Sequence, residues 1–163
     1  MVILGLDPGL ADTGFGLIEK QGSKLGLLAC GSIKTKARTD FNQRLEIIHE
    51  ELRKIIKKYR PNIVSIEQLF FCKNVKTALL VSQARGVCLL TIKQQHLPCY
   101  EYTPLQVKQA LTGYGQADKK QVCQMLKILL SLKVLPKSDD ATDALAIAIT
   151  CLHSLGNKIN YAV

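Results

Sequence analysis

The sequence predicts an α/β domain in which helices flank a mixed five-stranded sheet. Two observations support this fold class. Short apolar runs rich in β-branched residues stop at turn residues, and longer segments place apolar residues at helical spacing. Three strands come first, and helices and strands alternate after them. The short links between the first three strands favour an antiparallel meander, whereas strands joined through helices should run parallel to the first strand.

Four strands and one long helix are predicted in the amino-terminal part of the chain. We expect strands at residues 2–6, 13–19, 25–35 and 62–66. The first strand stops at Asp7, which begins a turn, and the fourth ends on Glu67. Residues 40–59 carry apolar side chains at helical spacing with basic residues between them, which predicts an amphipathic helix ended by Pro61.

The rest of the chain is predicted to be mainly helical, with one further strand. We expect helices at residues 75–94, 119–132 and 140–155 and a fifth strand at residues 99–103. A loop at Gly113, Tyr114 and Gly115 interrupts the helical stretch that follows Pro104. No linker, repeat or low-complexity segment divides the chain, so we expect residues 1–163 to form a single domain.

The charge balance predicts a polyanionic partner. The chain has 22 Lys and Arg residues against 13 Asp and Glu residues, a formal net charge of +9. A nucleic acid would suit this charge, although ribosomal proteins and proteins that bind membrane surfaces share it. No secretory signal opens the sequence, and no apolar stretch approaches the ~20 residues of a membrane span. We therefore expect a soluble cytoplasmic protein with no membrane partner.

The cysteine and histidine residues show no pattern of a metal site. The six cysteines contain no C-x-x-C pair and most lie in apolar runs, so we expect buried, reduced thiols. The three histidines lack the spacing of a zinc site, and we expect His49 and His153 to be ordinary helix residues.

Four acidic residues are the candidate catalytic and metal-binding groups. Asp7 and Glu67 each follow an apolar strand, and parallel neighbouring strands ~4.8 Å apart would bring both carboxylates to one edge of the sheet. Asp140 and Asp143 open the last predicted helix, and their three-residue spacing places both on one face of its first turn. Clustered carboxylates need counter-charge, and oxygen ligands suit Mg²⁺ or Mn²⁺. Two such ions ~3.5–4 Å apart can promote phosphodiester hydrolysis.

Each of these acids except Glu67 also has a structural interpretation. Asp7 could be only a turn residue, and Asp140 with Asp143 fits a helix N-cap followed by an acid in the first turn. Asp12 is interpreted as a solvated hairpin residue rather than a ligand. Without the four candidate acids the chain would keep 22 basic and 9 acidic residues. A strongly cationic body around one anionic site suits a nuclease.

Several segments together resemble the RuvC family of Holliday-junction resolvases, which belongs to the RNase H-like superfamily. The resemblance covers roughly residues 1–155 and includes shorter matches at residues 104–108 and 118–122. Its main segments are Gly5-Leu6-Asp7-Pro8-Gly9 with Thr13-Gly14-Phe15-Gly16, Ile66-Glu67-Gln68-Leu69-Phe70, Gln83-Ala84-Arg85-Gly86 and Asp140-Ala141-Thr142-Asp143-Ala144-Leu145-Ala146. One departure is Asp12, in a turn where some relatives carry a basic residue.

The resemblance implies an RNase H-like nuclease that acts on four-way DNA junctions in recombination and repair. By this resemblance, Asp7, Glu67, Asp140 and Asp143 hold two Mg²⁺ ions per subunit, for which Mn²⁺ can substitute. A homodimer would nick two opposed strands symmetrically, alongside the RuvA–RuvB branch-migration complex. The apolar face of the helix at residues 75–94 is compatible with dimerisation through Leu79, Leu80, Val87 and Leu90.

The resemblance also implies three DNA-binding residues. Lys108 and Lys119 match positions that contact or neutralise the scissile phosphate, and Lys119 is expected to take part in catalysis. Phe70 matches an aromatic residue placed against bases at the junction centre, where one stacking contact is worth ~1–3 kcal/mol. The alternatives are ordinary solvated lysines and a Phe70 that belongs to the core.

Two other functions use similar features. An actin-like ATPase also opens with a strand, an Asp-Gly turn and a second strand, but it needs two related lobes, and this chain supplies one. A DNA-binding module without catalytic activity is the other alternative, and the presence of all four acids disfavours it.

Overall fold

The computed structural model describes residues 1–69 and 75–156. Within them it has five strands and five helices, and the predicted α/β fold class is confirmed. In chain order the elements are β1 (Val2–Asp7), β2 (Asp12–Gln21), β3 (Lys24–Lys34), α1 (Phe41–Tyr59), β4 (Ile63–Glu67), α2 (Val75–Gln94), β5 (Cys99–Tyr102), α3 (Pro104–Thr112), α4 (Lys119–Leu129) and α5 (Asp139–Gly156).

The strands form one mixed sheet in the order β3-β2-β1-β4-β5. The first three strands pair antiparallel as the predicted meander, whereas β4 runs parallel to β1 and β5 runs parallel to β4. In the β1–β4 register, Leu6 lies opposite Ile66. The next residues in the two strands, Asp7 and Glu67, therefore leave the sheet at the same edge.

Helices cover both faces of the sheet. On one face α5 packs over β1 and β2, α3 and α4 pack against α5, and Ile3 shares a core cluster with Leu126 and Leu145. On the other face α1 and α2 cover Leu4 and Leu6. Alternate residues of β1 are therefore buried on opposite faces, as expected for a central strand with helices on both sides.

Capping residues account for the helix ends and for small errors in the predicted bounds. Asp40 caps α1, and Thr103 closes a capping box with Gln106, so β5 ends one residue before its predicted end. The predicted helix to residue 132 stops at Leu129, because the chain turns through Ser131 with a left-handed φ of 52°. Such a φ cannot continue an α-helix.

Helix α5 lies directly on the backbone of β1 and β2. A Cβ added to Gly5 would come within 2.0 Å of the carbonyl oxygen of Ala144. One added to Gly14 would lie 2.1 Å from the carbonyl oxygen of Asp140. Both distances are far below van der Waals contact, so only glycine allows this approach. The approach sets the first turn of α5 against the end of β1.

The cysteine and histidine predictions largely agree with the structure. The described cysteines are free thiols, with Cys88 and Cys151 buried and the other three half-buried, while Cys72 lies outside the described residues. Burial raises the pKa of the Cys88 thiol to about 12. His49 bonds to Thr91 and His153 to a backbone carbonyl, so both have structural partners. None of the described helices is long and apolar enough to span a bilayer.

We expect Gly14→Ala to destabilise the protein by at least ~1–3 kcal/mol, because the new methyl group must push α5 away from the sheet. Gly26→Ala is the matched control, since a Cβ at Gly26 meets no atom within 4 Å. The control should stay within ~0.5 kcal/mol of the wild type. Urea unfolding of the three proteins measures the difference, and equal stabilities would show that α5 does not depend on this contact.

Candidate active site

Asp7 and Glu67 meet where two parallel strands end. Asp7 is the last residue of β1 and pairs with Gly14 of β2, and Glu67 is the last residue of β4 and pairs with Tyr102 of β5. Both side chains are half-buried, and their carboxyl groups share a hydrogen bond. The two carboxyl groups therefore lie close enough at this edge of the sheet to change each other's pKa.

The first turn of α5 brings Asp140 and Asp143 to the same place. Both are half-buried, and their negative charges contribute to raising the pKa of Asp7. The helix begins at Asp139, and the side chain of Ser138 accepts a hydrogen bond from the backbone N–H of Ala141 at 3.4 Å. Ser138 therefore occupies the capping position. The alternative in which Asp140 serves as the N-cap is wrong, because Asp140 already lies inside the helix.

The acidic residues raise one another's pKa. Burial, followed by the charges of Glu67, Asp143 and Asp140, raises the pKa of Asp7 to about 8. Burial and the charge of Asp143 raise the pKa of Glu67, although its bond to Asp7 acts in the opposite direction. Burial also raises the pKa of Asp143, against the opposing effect of Lys119. The cluster has more negative charge than its surroundings balance.

This cluster fits a divalent cation in both chemistry and charge. All four side chains offer carboxylate oxygens, the ligands preferred by Mg²⁺ and Mn²⁺. Across residues 1–69 and 75–156, no three acidic, histidine or cysteine side chains are grouped closely enough to hold a metal ion by themselves. An open arrangement is compatible with Mg²⁺, which usually keeps several water ligands and binds substrate phosphates as well.

The two predicted lysines lie beside the acids. Lys108 and Lys119 line a cavity of about 210 Å³ together with Glu67 and Asp143. The Nζ atom of Lys119 is 3.2 Å from Asp139 Oδ2 and 3.4 Å from Asp143 Oδ2. Partial burial lowers the pKa of Lys119, but its bonds to these two acids outweigh that effect and leave the pKa raised. Lys119 is therefore a protonated neighbour of the cluster.

Comparison with known proteins assigns the chain to a family. A family model described as "Crossover junction endodeoxyribonuclease RuvC" matches residues 3–151. The chain belongs to the RuvC family. It is 55% identical to the RuvC protein of Heliobacterium modesticaldum over 95% of this chain and 96% of the relative. It is 57% identical to the protein of the same name from Halothermothrix orenii, over 91% and 90% of the two chains.

Solved structures of RuvC have the same fold. Thermus thermophilus RuvC in complex with a Holliday junction substrate superposes with a TM-score of 0.95 and 34% sequence identity, covering 100% of this chain and 99% of that chain. A yeast mitochondrial Holliday junction resolvase, at 13% identity and a TM-score of 0.66, shares the fold. The predicted RNase H-like class and the family resemblance are thereby confirmed.

Some neighbours of the site were not predicted from the sequence. Asp139 forms an ion pair with Lys119, and Arg85 of α2 donates a hydrogen bond to the backbone carbonyl of Glu67. The segment containing Arg85 belongs to the RuvC resemblance, but nothing in its local pattern indicates a contact 18 residues away. Asp12 begins β2 and pairs with Lys34 at 3.8 Å, so it is less solvated than predicted. Phe70 lies outside the described residues.

We expect Asp7→Asn to stabilise the protein in EDTA, and by more at pH 8 than at pH 5. In the unfolded chain Asp7 ionises near pH 4, whereas in the fold its pKa is about 8. The folded state therefore binds the extra proton, and wild-type stability falls as pH rises between these values. Asparagine carries no charge and avoids that loss, which is on the order of a few kcal/mol at pH 8.

Urea unfolding at the two pH values measures this effect, with Asp12→Asn as a control from the same turn. The difference in unfolding free energy between Asp12→Asn and wild type should not increase from pH 5 to pH 8 as it does for Asp7→Asn, because Asp12 pairs with Lys34. If the gain from Asp7→Asn were the same at both pH values, the carboxylate cluster would not be electrostatically coupled as described.

Proposed function

We propose that this protein is a structure-specific endonuclease that resolves four-way (Holliday) DNA junctions by hydrolysing phosphodiester bonds. The observation that carries this proposal is the meeting of four carboxylates from β1, β4 and α5 beside a cavity lined by two lysines. Family membership supports it, as does a similar protein solved with a Holliday junction substrate. In this function two opposed strands are nicked symmetrically during recombination and repair.

The four carboxylates are the proposed ligands of two Mg²⁺ ions per subunit, for which Mn²⁺ can substitute. The raised pKa values of Asp7, Glu67 and Asp143 support this role, because burial and then neighbouring negative charges disfavour the ionised carboxylates, and a bound cation would offset both effects. When bound, such ions supply Lewis-acid stabilisation of the phosphate and of the leaving oxygen. The part played by the chain is to hold four oxygen ligands together on a rigid sheet edge and a rigid helix.

Lys119 and Lys108 are the proposed phosphate-binding residues, and Lys119 acts in catalysis. Both line the cavity that reaches Glu67 and Asp143, so a phosphate held there would lie beside the acids. Lys119 already faces two carboxylates, which keep its ammonium group charged and oriented toward the site. An ammonium at this position can offset charge that builds up on the phosphate oxygens during hydrolysis.

The overall charge suits the proposed substrate. The net charge of +9 includes the acidic cluster, so the surface outside the active site is more cationic than that number indicates. Contacts with the phosphate backbone provide most of the affinity in such complexes and fall off steeply with salt. Binding and chemistry are thereby assigned to different parts of the surface.

A homodimer would give one active site to each of the two opposed strands. Helix α2 leaves Leu79 and Leu90 57% exposed and Leu80 41% exposed. Such a stripe of exposed leucines favours burial against a partner. Val87, which was assigned to the same face, instead packs against the core. We also propose a single domain over residues 1–163, a cytoplasmic location and cooperation with the RuvA–RuvB complex.

Asp7→Asn and Asp140→Asn should each abolish metal-dependent cleavage of a four-way junction while leaving junction binding largely intact. Each change removes one proposed ligand, whereas the cationic surface that provides affinity stays unchanged. Since Ser138 caps α5, the stability of Asp140→Asn should not fall. Asp12→Asn, outside the cluster, should cleave normally. Single-turnover cleavage and gel-shift binding measure both properties, and near-normal cleavage by either ligand variant would remove that residue from the site.

Phe70→Ala tests whether the enzyme opens a branch point. We expect the variant to fold and to bind an intact junction more weakly by ~1–3 kcal/mol, the value of one stacking contact. Its cleavage of the intact junction should fall further than its binding, because misplacing the scissile phosphate by about an ångström can cost ~10²-fold in rate.

A junction with unpaired bases at its centre should partly rescue Phe70→Ala, since its bases are already unstacked. The measurement compares single-turnover cleavage rates of wild type and variant on the intact junction and on the junction with unpaired central bases. An equal loss on the two junctions would reject the stacking role, and a marked drop in melting temperature would place Phe70 in the core.

A further inference from the structure

A largely buried arginine connects α2 to the end of β4. The Nε atom of Arg85 donates a hydrogen bond to the backbone carbonyl of Glu67 at 3.1 Å. The Nη2 atom of the same side chain forms an ion pair with Glu101 Oε1 on β5, although its direction does not make this contact a hydrogen bond. Only 15% of the Arg85 side chain and 19% of the Glu101 side chain are exposed. One rigid guanidinium therefore links a helix to two adjacent strands.

The two contacts of Arg85 have different effects. The positive charge pairs with Glu101, a carboxylate outside the acidic cluster. The contact with Glu67 is a hydrogen bond to the main chain and does not involve the Glu67 carboxyl group. Because guanidinium is planar and presents its donors in a fixed fork, binding Glu101 also sets the direction of the Nε donor. Lysine, with a single ammonium group, cannot reproduce both contacts in this geometry.

The main chain at Glu67 needs support from outside the β1–β4 pair. The parallel register of β1 with β4 stops at Leu6 and Ile66, so Glu67 has no register partner in β1. On its other side Glu67 pairs with Tyr102 of β5. The backbone carbonyl of Glu67 accepts its hydrogen bond from Arg85 of α2.

We propose that Arg85 is a positioning residue for Glu67. Supported by Glu101, it fixes the last peptide of β4 so that the Glu67 carboxylate stays in place to bind a divalent cation. This inference rests on the proposed function, because it assigns Glu67 as a metal ligand. Groups that orient ligands in this way typically change metal affinity by ~10–100-fold when they are mutated.

The test compares Arg85→Lys and Glu101→Gln with wild type, and uses Lys93→Met, an exposed lysine on the same helix, as the control. Three quantities are measured: the rise in melting temperature on adding Mg²⁺, the Mg²⁺ concentration for half-maximal junction cleavage, and junction affinity in EDTA. For Arg85→Lys we expect the half-maximal concentration to rise by at least ~10-fold. The thermal shift should need correspondingly more Mg²⁺, while junction affinity should stay within about twofold of wild type.

Glu101→Gln removes the charge pair but keeps a side-chain oxygen that can accept a hydrogen bond, so we expect a smaller shift in the same direction. This milder variant also covers the case in which Arg85→Lys does not fold. Lys93→Met should match wild type in the metal-dependent quantities. If both site variants only lowered the melting temperature and kept the wild-type Mg²⁺ dependence, the positioning role would be rejected.

The experiment separates this inference from the proposed function. If wild type cleaved no junction at any Mg²⁺ concentration, the proposed function would fail, and the thermal shift would still report whether Arg85 affects metal binding. If wild type cleaved the junction and the variants responded to Mg²⁺ as wild type does, only the role of Arg85 would fail.

Discussion

Close contact between α5 and the sheet holds four acidic side chains together against their mutual repulsion. The contact depends on Gly5 and Gly14, where any side chain would overlap the backbone of the helix. It sets Asp140 and Asp143 beside the ends of β1 and β4. The fold therefore accepts an unfavourable interaction at this point, as the raised pKa of Asp7 indicates. Functional sites commonly carry such costs, which binding of the proper ligand relieves.

The region around the acids balances this charge only in part. Lys119 pairs with Asp139 and Asp143, and Arg85 pairs with Glu101, so two cations lie close to the cluster. Burial and neighbouring carboxylates nevertheless keep the pKa of Asp7 and of Glu67 raised. The charge that remains suits a divalent cation, and the cationic surface beyond it suits DNA. The same chain can thus attract a polyanion to a site that is itself acidic.

Local patterns in the sequence were enough to predict the strands, the helices and the meeting of the four acids at one place. Asp7 and Glu67 were identifiable because an acid directly after an apolar strand lies at a sheet edge, and parallel pairing brings such edges together. Asp140 and Asp143 were identifiable from their spacing in one helical turn. The capping alternative could not be decided this way, because Ser138, Asp139 and Asp140 are all residue types that can cap a helix.

What the sequence by itself determined is the element order, the family and the types of group at the site, since these depend on periodicity and on motifs that are local in the chain. The tertiary structure alone decided which residues touch. The bond from Arg85 to Glu67, the contact of Gly14 with Asp140 and the inward packing of Val87 join segments that are distant in sequence. Such contacts depend on the distance and angle at which each helix packs on the twisted sheet. The periodicity of side chains along one element does not determine that distance or angle.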